Sequence, residues 1–213
     1  MTETTQSLAQ YWESRYAEMD HMWSGRVNQV LADVVSRLVP GSALDLGCGE
    51  GGDAVWLASK GWEVTGIDLS PTALRRARQA ATNQGITEAR LHLEASDLAT
   101  WEPVESFDLV TCSFLHSWPV SMPREDILRK APFAVTRGGH ILVTSHAAAP
   151  SWSDPEMAKG HVFPTPEADL AALNLNPNDW SVVSCEIRER EGTSPSGQVS
   201  TLIDGVVLAR RRR

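Results

Sequence analysis

Cysteine is scarce in this chain. Cys48, Cys112 and Cys185 are too few and too dispersed for a disulfide framework or a zinc knuckle, and a reducing cytoplasmic compartment is the expectation. Long apolar runs are missing too: none reaches the roughly 18 residues that a membrane-spanning helix needs. Residues 1–6 are polar and acidic, unlike a secretory signal, so no membrane partner is expected. Positive charge is in deficit, with a net charge of -8, which argues against a grip on nucleic acid. The run Arg210-Arg211-Arg212-Arg213 is a local exception and reads as a solvated terminus. No spacing among histidines, cysteines and acids resembles a metal site.

What remains is a single α/β domain of 213 residues, long enough to bury a substantial core, with no internal repeat and no dividing linker. The pattern predicts a short aromatic helix over 8–19, carrying Tyr11, Trp12 and Tyr16. An amphipathic helix follows over 27–39, ended by Pro40-Gly41. Strands are expected over 43–46, 62–68, 89–93, 107–113 and 139–145. The intervening helices are expected over 52–60, 70–85 and 124–135, the last interrupted by Pro132. Ser70-Pro71 is a strong helix start, with Ser70 as N-cap and Arg75, Arg76, Arg78 and Gln79 on the solvent side. Alternating strands and helices imply a parallel sheet with right-handed crossovers. Thr165-Pro166 opens a helix through Leu173. Strands over 180–190 and 199–210 flank a Gly/Ser/Pro turn and read as an antiparallel hairpin.

The chemistry concentrates in Leu44-Asp45-Leu46-Gly47-Cys48-Gly49-Glu50-Gly51-Gly52 and in Gly66-Ile67-Asp68-Leu69-Ser70. A strand runs into a glycine-rich turn, and a second strand ends in an acid placed to accept both hydroxyls of a ribose. Gly47, Gly49 and Gly52 also satisfy the weak G-x-G-x-x-G fingerprint of dinucleotide sites. Asp45 tips the choice. A carboxylate two residues before the first glycine opposes a pyrophosphate, which this kind of turn otherwise favours. It suits the ammonium and sulfonium of S-adenosylmethionine. Hydrogen bonding to the turn is the alternative role for Asp45.

These residues, together with Ala95-Ser96-Asp97-Leu98, resemble the cofactor motifs of class I S-adenosylmethionine-dependent methyltransferases. Within that superfamily the chain is most similar to small-molecule enzymes of the tellurite-resistance and thiopurine type. The residues that carry this are Lys60-Gly61-Trp62-Glu63-Val64, Phe163-Pro164-Thr165-Pro166 and the hairpin around Gly197. The resemblance implies a Rossmann-like, doubly wound seven-stranded sheet of order 3-2-1-4-5-7-6, its last pair an antiparallel hairpin. Residues 1–40 would form a helical lid on a core of 41–213. It implies S-adenosylmethionine as cofactor, S-adenosylhomocysteine as product and no metal. The partner would be a small-molecule substrate, and the protein a monomer or homodimer.

By the same resemblance Gly47 and Cys48 present backbone to the methionine part, with Gly49 in the same turn, and Asp68 binds the ribose. Asp97 accepts from the adenine amino group, or else caps a helix, while Leu69 and Leu98 sandwich the ring. Ser113 lies at the end of the fourth strand, where ligands of such sheets bind. Tyr11, Trp12, Tyr16 and Trp23 fall in a segment that crosses the site's mouth, where an aromatic face holds a sulfonium by about 0.5–2 kcal/mol; simple packing is the other role open to each. Arg26 is either a partner for the cofactor's carboxylate or an anionic substrate, or a surface residue. His116 is the leading candidate for a general base or substrate contact, with support of its loop as the plain alternative. His146 comes second. His21, His92, His140 and His161 read as structural or exposed.

Methyl transfer from a sulfonium disperses charge, so the protein's task is alignment and exclusion of water, contributing up to about 7–11 kcal/mol. A proton acceptor matters only when the nucleophile arrives protonated. The expected acceptor therefore has a soft or readily deprotonated S, O, Se or Te nucleophile. Ser113-Phe114-Leu115-His116 stands where base-modifying enzymes carry an Asn/Asp/Ser-Pro-Pro-aromatic motif, and Thr111 rather than proline precedes Cys112. Glu191-Gly192 replaces the basic pair found in tellurite-type enzymes, which counts against an oxyanion substrate. The rival readings are a nicotinamide-dependent oxidoreductase, for which Tyr11 and Tyr16 are poorly placed, and a non-catalytic S-adenosylmethionine-binding protein.

Overall fold

The computed structural model describes residues 6–153, 162–194 and 197–213. His161, the first five residues and the tip of the C-terminal hairpin lie outside the described residues. In chain order the elements are α1 (Leu8–Ala17), α2 (Gln29–Val35), β1 (Ser42–Leu46), α3 (Gly52–Ser59), β2 (Glu63–Asp68), α4 (Pro71–Asn83) and β3 (Leu91–Ala95). They continue with β4 (Phe107–Ser113), α5 (Arg124–Lys130), β5 (Val135–His146), α6 (Pro166–Leu173), β6 (Trp180–Thr193) and β7 (Val199–Arg211). The seven strands form one sheet of order β3-β2-β1-β4-β5-β7-β6. The first five are parallel, whereas β7 runs antiparallel to both β5 and β6.

Period-two alternation sends side chains to two cores. Ala43, Val64, Leu109 and Leu142 meet Leu31, Leu57 and Leu74 on one face of the sheet. Leu44, Leu46, Ile67, Val110 and Ile141 meet Ile127, Leu128 and Leu173 on the other. Leu31 is wholly buried, and trimming such a side chain to alanine costs about 2–5 kcal/mol. Local chemistry sets the helix ends. Ser70 Oγ accepts from the Ala73 N–H at 3.1 Å ahead of Pro71, and Thr165 caps α6 in the same way ahead of Pro166. Pro132 converts the expected continuation of α5 into a 3-10 turn over Ala131–Ala134.

Several boundaries differ from the sequence expectation. The amphipathic pattern over 27–39 yields a helix only over Gln29–Val35, because Asn28 caps it by accepting from the Val30 N–H. The third strand sits two residues later than expected, in register with β2 from Val64↔Leu91 to Asp68↔Ala95. The fifth begins at Val135 rather than 139, since Val135 pairs with Phe107 across a register shift. Arg76 leaves the solvent side of α4 and turns toward the N-terminal segment. No helix among the described residues is long and apolar enough to cross a membrane.

Registers bring the functional ends together. Asp45 pairs with Gly66 and Thr111, Ser113 with Thr144, and His146 with Asp204. Strand order reverses between β1 and β4, and ligands of open α/β sheets bind beyond the carboxyl ends at such a point.

Candidate functional site

The turn after β1 is held by its own backbone. The N–H groups of Gly47 and Cys48 both donate to the Ile67 carbonyl, at 2.8 and 3.0 Å, so these amides brace the turn instead of facing a ligand. Gly47 and Gly49 take φ values of +77° and +52°. A Cβ on Gly47 would lie 2.7 Å from Leu115 Cδ1, and one on Gly49 3.0 Å from the Tyr16 hydroxyl, so both approaches need the bare backbone. Cys48 is buried. Burial, with Asp68 and Asp45 nearby, pushes its thiol well above the usual range and keeps it a neutral wall of the turn.

Three acids converge on this turn. Asp68 Oδ2 accepts from the Gly49 N–H and Oδ1 from the Ser70 N–H, each at 2.9 Å, which leaves further lone pairs for two hydroxyls. Burial raises its carboxyl above the ordinary value despite those bonds. Asp53 accepts from the Asn28 N–H at 2.6 Å, and burial raises it as well. Asp45 is 2% exposed, and its Oδ2 has no hydrogen-bond partner among the described residues. Burial, then the charges of Asp53 and Asp68, push its carboxyl well above the carboxylate range. An orphaned buried acid beside two others fits a cationic ligand, whose charge would favour its ionised form.

The N-terminal segment closes over the turn as a strap. Glu13 on α1 accepts from the Ser70 hydroxyl at 2.6 Å and from the Thr72 hydroxyl and N–H at 2.5 and 3.1 Å. It thereby covers the N-terminus of α4, where a carboxylate is favoured. Desolvation works to raise the Glu13 carboxyl, but these bonds outweigh it and hold the group low. Tyr11 donates to the Trp118 carbonyl and Trp12 to the Ser117 hydroxyl, tying α1 to the loop after β4. Trp23 Nε1 donates to the Tyr16 hydroxyl at 3.0 Å, above Gly49. The Met22 and Trp23 N–H groups donate to Glu50.

A second cluster stands at the carboxyl ends of β4 and β5, beside the middle of β7. The His146 ring stacks on Phe114 at 4.2 Å between centroids and on His116 at 5.7 Å. His116 Nε2 accepts the His146 backbone N–H at 3.1 Å. Asp204, wholly buried, lies 3.5 Å from His146 Nδ1 through Oδ1 and accepts from Arg190 Nε at 2.5 Å through Oδ2. Arg124 braces the region from behind, donating to the Leu115 carbonyl and the Ser145 hydroxyl and pairing with Asp169.

Of the residues singled out in the sequence, Asp45, Gly47, Cys48, Gly49, Asp68 and Trp23 come together at one turn. Leu69 follows Asp68, half-buried. Ser113 joins them through hydrogen bonds to Asn28 and Asp53. Asp97 is exposed and accepts from the Ala99 N–H at 2.9 Å, a local turn-capping bond. It stays close to the site because the Ser96 N–H donates to the Asp68 carbonyl. Leu98 is 3% exposed and packs in the core with Leu44 and Ile67. Arg26 is exposed and enters no ion pair among the described residues; its backbone packs on Gly52. Sequence reasoning missed Glu13, Glu50, Arg76, Arg190 and Asp204. Asp204 alone left a local signal, a charge inside the apolar run Leu202-Ile203-Asp204-Gly205-Val206-Val207. Among the described residues no group of three or more His, Cys, Asp or Glu side chains is arranged to hold a metal ion.

Residues 43–139 match the family described as "Methyltransferase domain". The chain is 28% identical to the 2-heptyl-1-hydroxyquinolin-4(1H)-one methyltransferase of Mycobacteroides abscessus, over 65% of this chain and 60% of that protein. It is 35% identical to probable thiol methyltransferase 2 of Arabidopsis thaliana, over 46% of this chain and 45% of that one. The chain thus spans less than two thirds of either relative's length. It shares its fold with the N-methyltransferase NodS of Bradyrhizobium japonicum, solved with S-adenosylhomocysteine. The TM-score is 0.67 and the identity 19%, covering 96% of this chain and 99% of that one.

Proposed function

With residues 43–139 matching the methyltransferase domain family and the sheet in order β3-β2-β1-β4-β5-β7-β6, we propose that this chain transfers a methyl group from S-adenosylmethionine to a small-molecule acceptor. The acceptor's nucleophile is soft or readily deprotonated. The reading is carried by Asp45: a buried carboxylate with an unpartnered oxygen at a glycine turn has use for an ammonium group. Asp68 takes the ribose, and Gly47, Cys48 and Gly49 supply a turn without obstructing side chains. Leu69 and Leu98 border the adenine, Asp97 faces its amino group, and Ser113 lines the floor. The cofactor, when bound, supplies a methyl group on a sulfonium. Trp23 and Tyr16 keep water from the turn, Arg26 stands at its rim, and His116 and His146 border the acceptor's side.

The names of the relatives support this class of acceptor, since one is a hydroxyquinolinone methyltransferase and another a probable thiol methyltransferase. Calorimetry with S-adenosylmethionine, S-adenosylhomocysteine and NADH tests the cofactor. Binding of the first two without the third is expected, and preference for NADH would establish the oxidoreductase rival. Release of S-adenosylhomocysteine on adding thiols, halides or small phenols separates a transferase from a non-catalytic binder.

A further inference from the structure

The two histidines at the carboxyl ends of β4 and β5 are held in opposite ways. His116 Nε2 accepts the backbone N–H of His146 at 3.1 Å, so that lone pair is occupied and the neutral ring carries its proton on Nδ1. His146 turns Nδ1 toward Asp204 Oδ1, 3.5 Å away, on a carboxylate with no exposure to solvent. Oδ1 of Asp204 has no hydrogen-bond donor among the described residues, while Arg190 Nε holds Oδ2 at 2.5 Å. The electrostatic pull of that unpartnered oxygen favours the proton on Nδ1 and leaves the Nε2 lone pair free to accept one. The His146 side chain is 34% exposed, so the ring is not sealed from solvent. Leu115, between Phe114 and His116, touches the cofactor turn at Gly47, which puts this pair beside the methyl-transfer crevice.

Resting on the methyltransferase reading, we infer that His146 is the proton acceptor for an O–H or S–H acceptor, with Asp204 and Arg190 as positioning residues. As the acceptor's O or S bonds to the methyl carbon, the bond from that carbon to sulfur breaks and the sulfur keeps its electron pair. The acceptor's proton passes to His146 Nε2, and the resulting imidazolium faces the Asp204 carboxylate. The proton leaves to solvent from the part-exposed ring. The titratable and charged groups facing His146 are His116 from the loop after β4, Arg190 from β6 and Asp204 from β7. His116 holds the His146 backbone.

Two measurements on the full chain decide this. Nitrogen-15 NMR of the histidines is expected to show His146 as the Nδ1–H tautomer, with Asp204→Asn moving population toward Nε2–H. A wild-type ring protonated on Nε2 overturns the inference without reference to turnover. Release of S-adenosylhomocysteine is then followed with 2-mercaptoethanol, which must lose a proton, and with iodide, which has none. His146→Gln is expected to slow the thiol reaction by about 100-fold, with at least tenfold less loss for iodide. Added imidazole is expected to restore thiol turnover in His146→Gly. Equal losses with both acceptors overturn the inference and leave the methyltransferase reading standing. A wild type that uses iodide but not the thiol does the same.

Discussion

Arg76 Nη1 lies 2.6 Å from Glu50 Oε1, and this ion pair joins α4 to the glycine turn beneath the N-terminal strap. The same guanidinium donates to the carbonyls of Tyr16 and Met19, while Glu50 accepts from the Met22 and Trp23 amides. One ion pair thereby satisfies the backbone on both sides of the bend between α1 and α2. Glu50→Gln keeps the shape but loses the charge. Stability is expected to fall by about 1.5–3 kcal/mol, the range for hydrogen bonds to charged groups. Hydrogen exchange should quicken at residues 19–23 before it does in the sheet.

The Asp45 carboxyl, raised by burial and by its acidic neighbours, gives binding a pH dependence of definite sign. The unfolded chain ionises this group in the ordinary carboxylate range, whereas the folded chain holds its proton to higher pH. Ligand-free stability from this group therefore grows as pH falls through the raised folded value toward the ordinary one. An ammonium ligand favours the ionised form, so binding releases a proton and tightens as pH rises across that window. Calorimetry in buffers of different ionisation enthalpy checks the release. Asp45→Asn should stabilise the free protein near neutrality and weaken cofactor binding by at least tenfold, about 1.4 kcal/mol.

Asp68→Ala removes the proposed ribose acceptor. Cofactor affinity should drop by about 1–3 kcal/mol through lost hydrogen bonds. The Gly49 and Ser70 amides lose their partner as well, so a fall in melting temperature should accompany the change. An unaltered dissociation constant for S-adenosylhomocysteine would contradict the ribose assignment.

Much of this was legible because it is local. Ser70-Pro71 and Thr165-Pro166 start helices within their own few residues, and Gly47 and Gly49 mark a turn that no side chain could share. Asp45 and Asp68 announce themselves by ending buried strands. Distance along the chain hid the remainder. Asp204 meets His146 only through the β5–β7 register, 58 residues apart, and Glu13 caps a helix that begins 58 residues later at Pro71. The early start of β5 depends on pairing with Phe107, which the polar run Thr136-Arg137-Gly138-Gly139 conceals. Arg76 looked solvated because its partners lie in another segment.

The strap has its own acid response. The Glu13 carboxyl is held low by its bonds to Ser70 and Thr72, which outweigh desolvation. A depressed acid contributes stability above the ordinary carboxylate pKa and loses it as pH falls through the folded value. Acidification should therefore loosen α1 from α4 in the wild type. Glu13→Gln should remove that step from a tryptophan-fluorescence titration, because Trp12 and Trp23 report on the strap.

A crystal structure with S-adenosylhomocysteine tests the central claim most directly. The account predicts the ligand's ammonium within hydrogen-bond reach of Asp45 Oδ2 and its ribose hydroxyls on Asp68, beneath Tyr16 and Trp23. A crevice left empty at saturating ligand, or one that takes up a diphosphate-bearing dinucleotide instead, would contradict it.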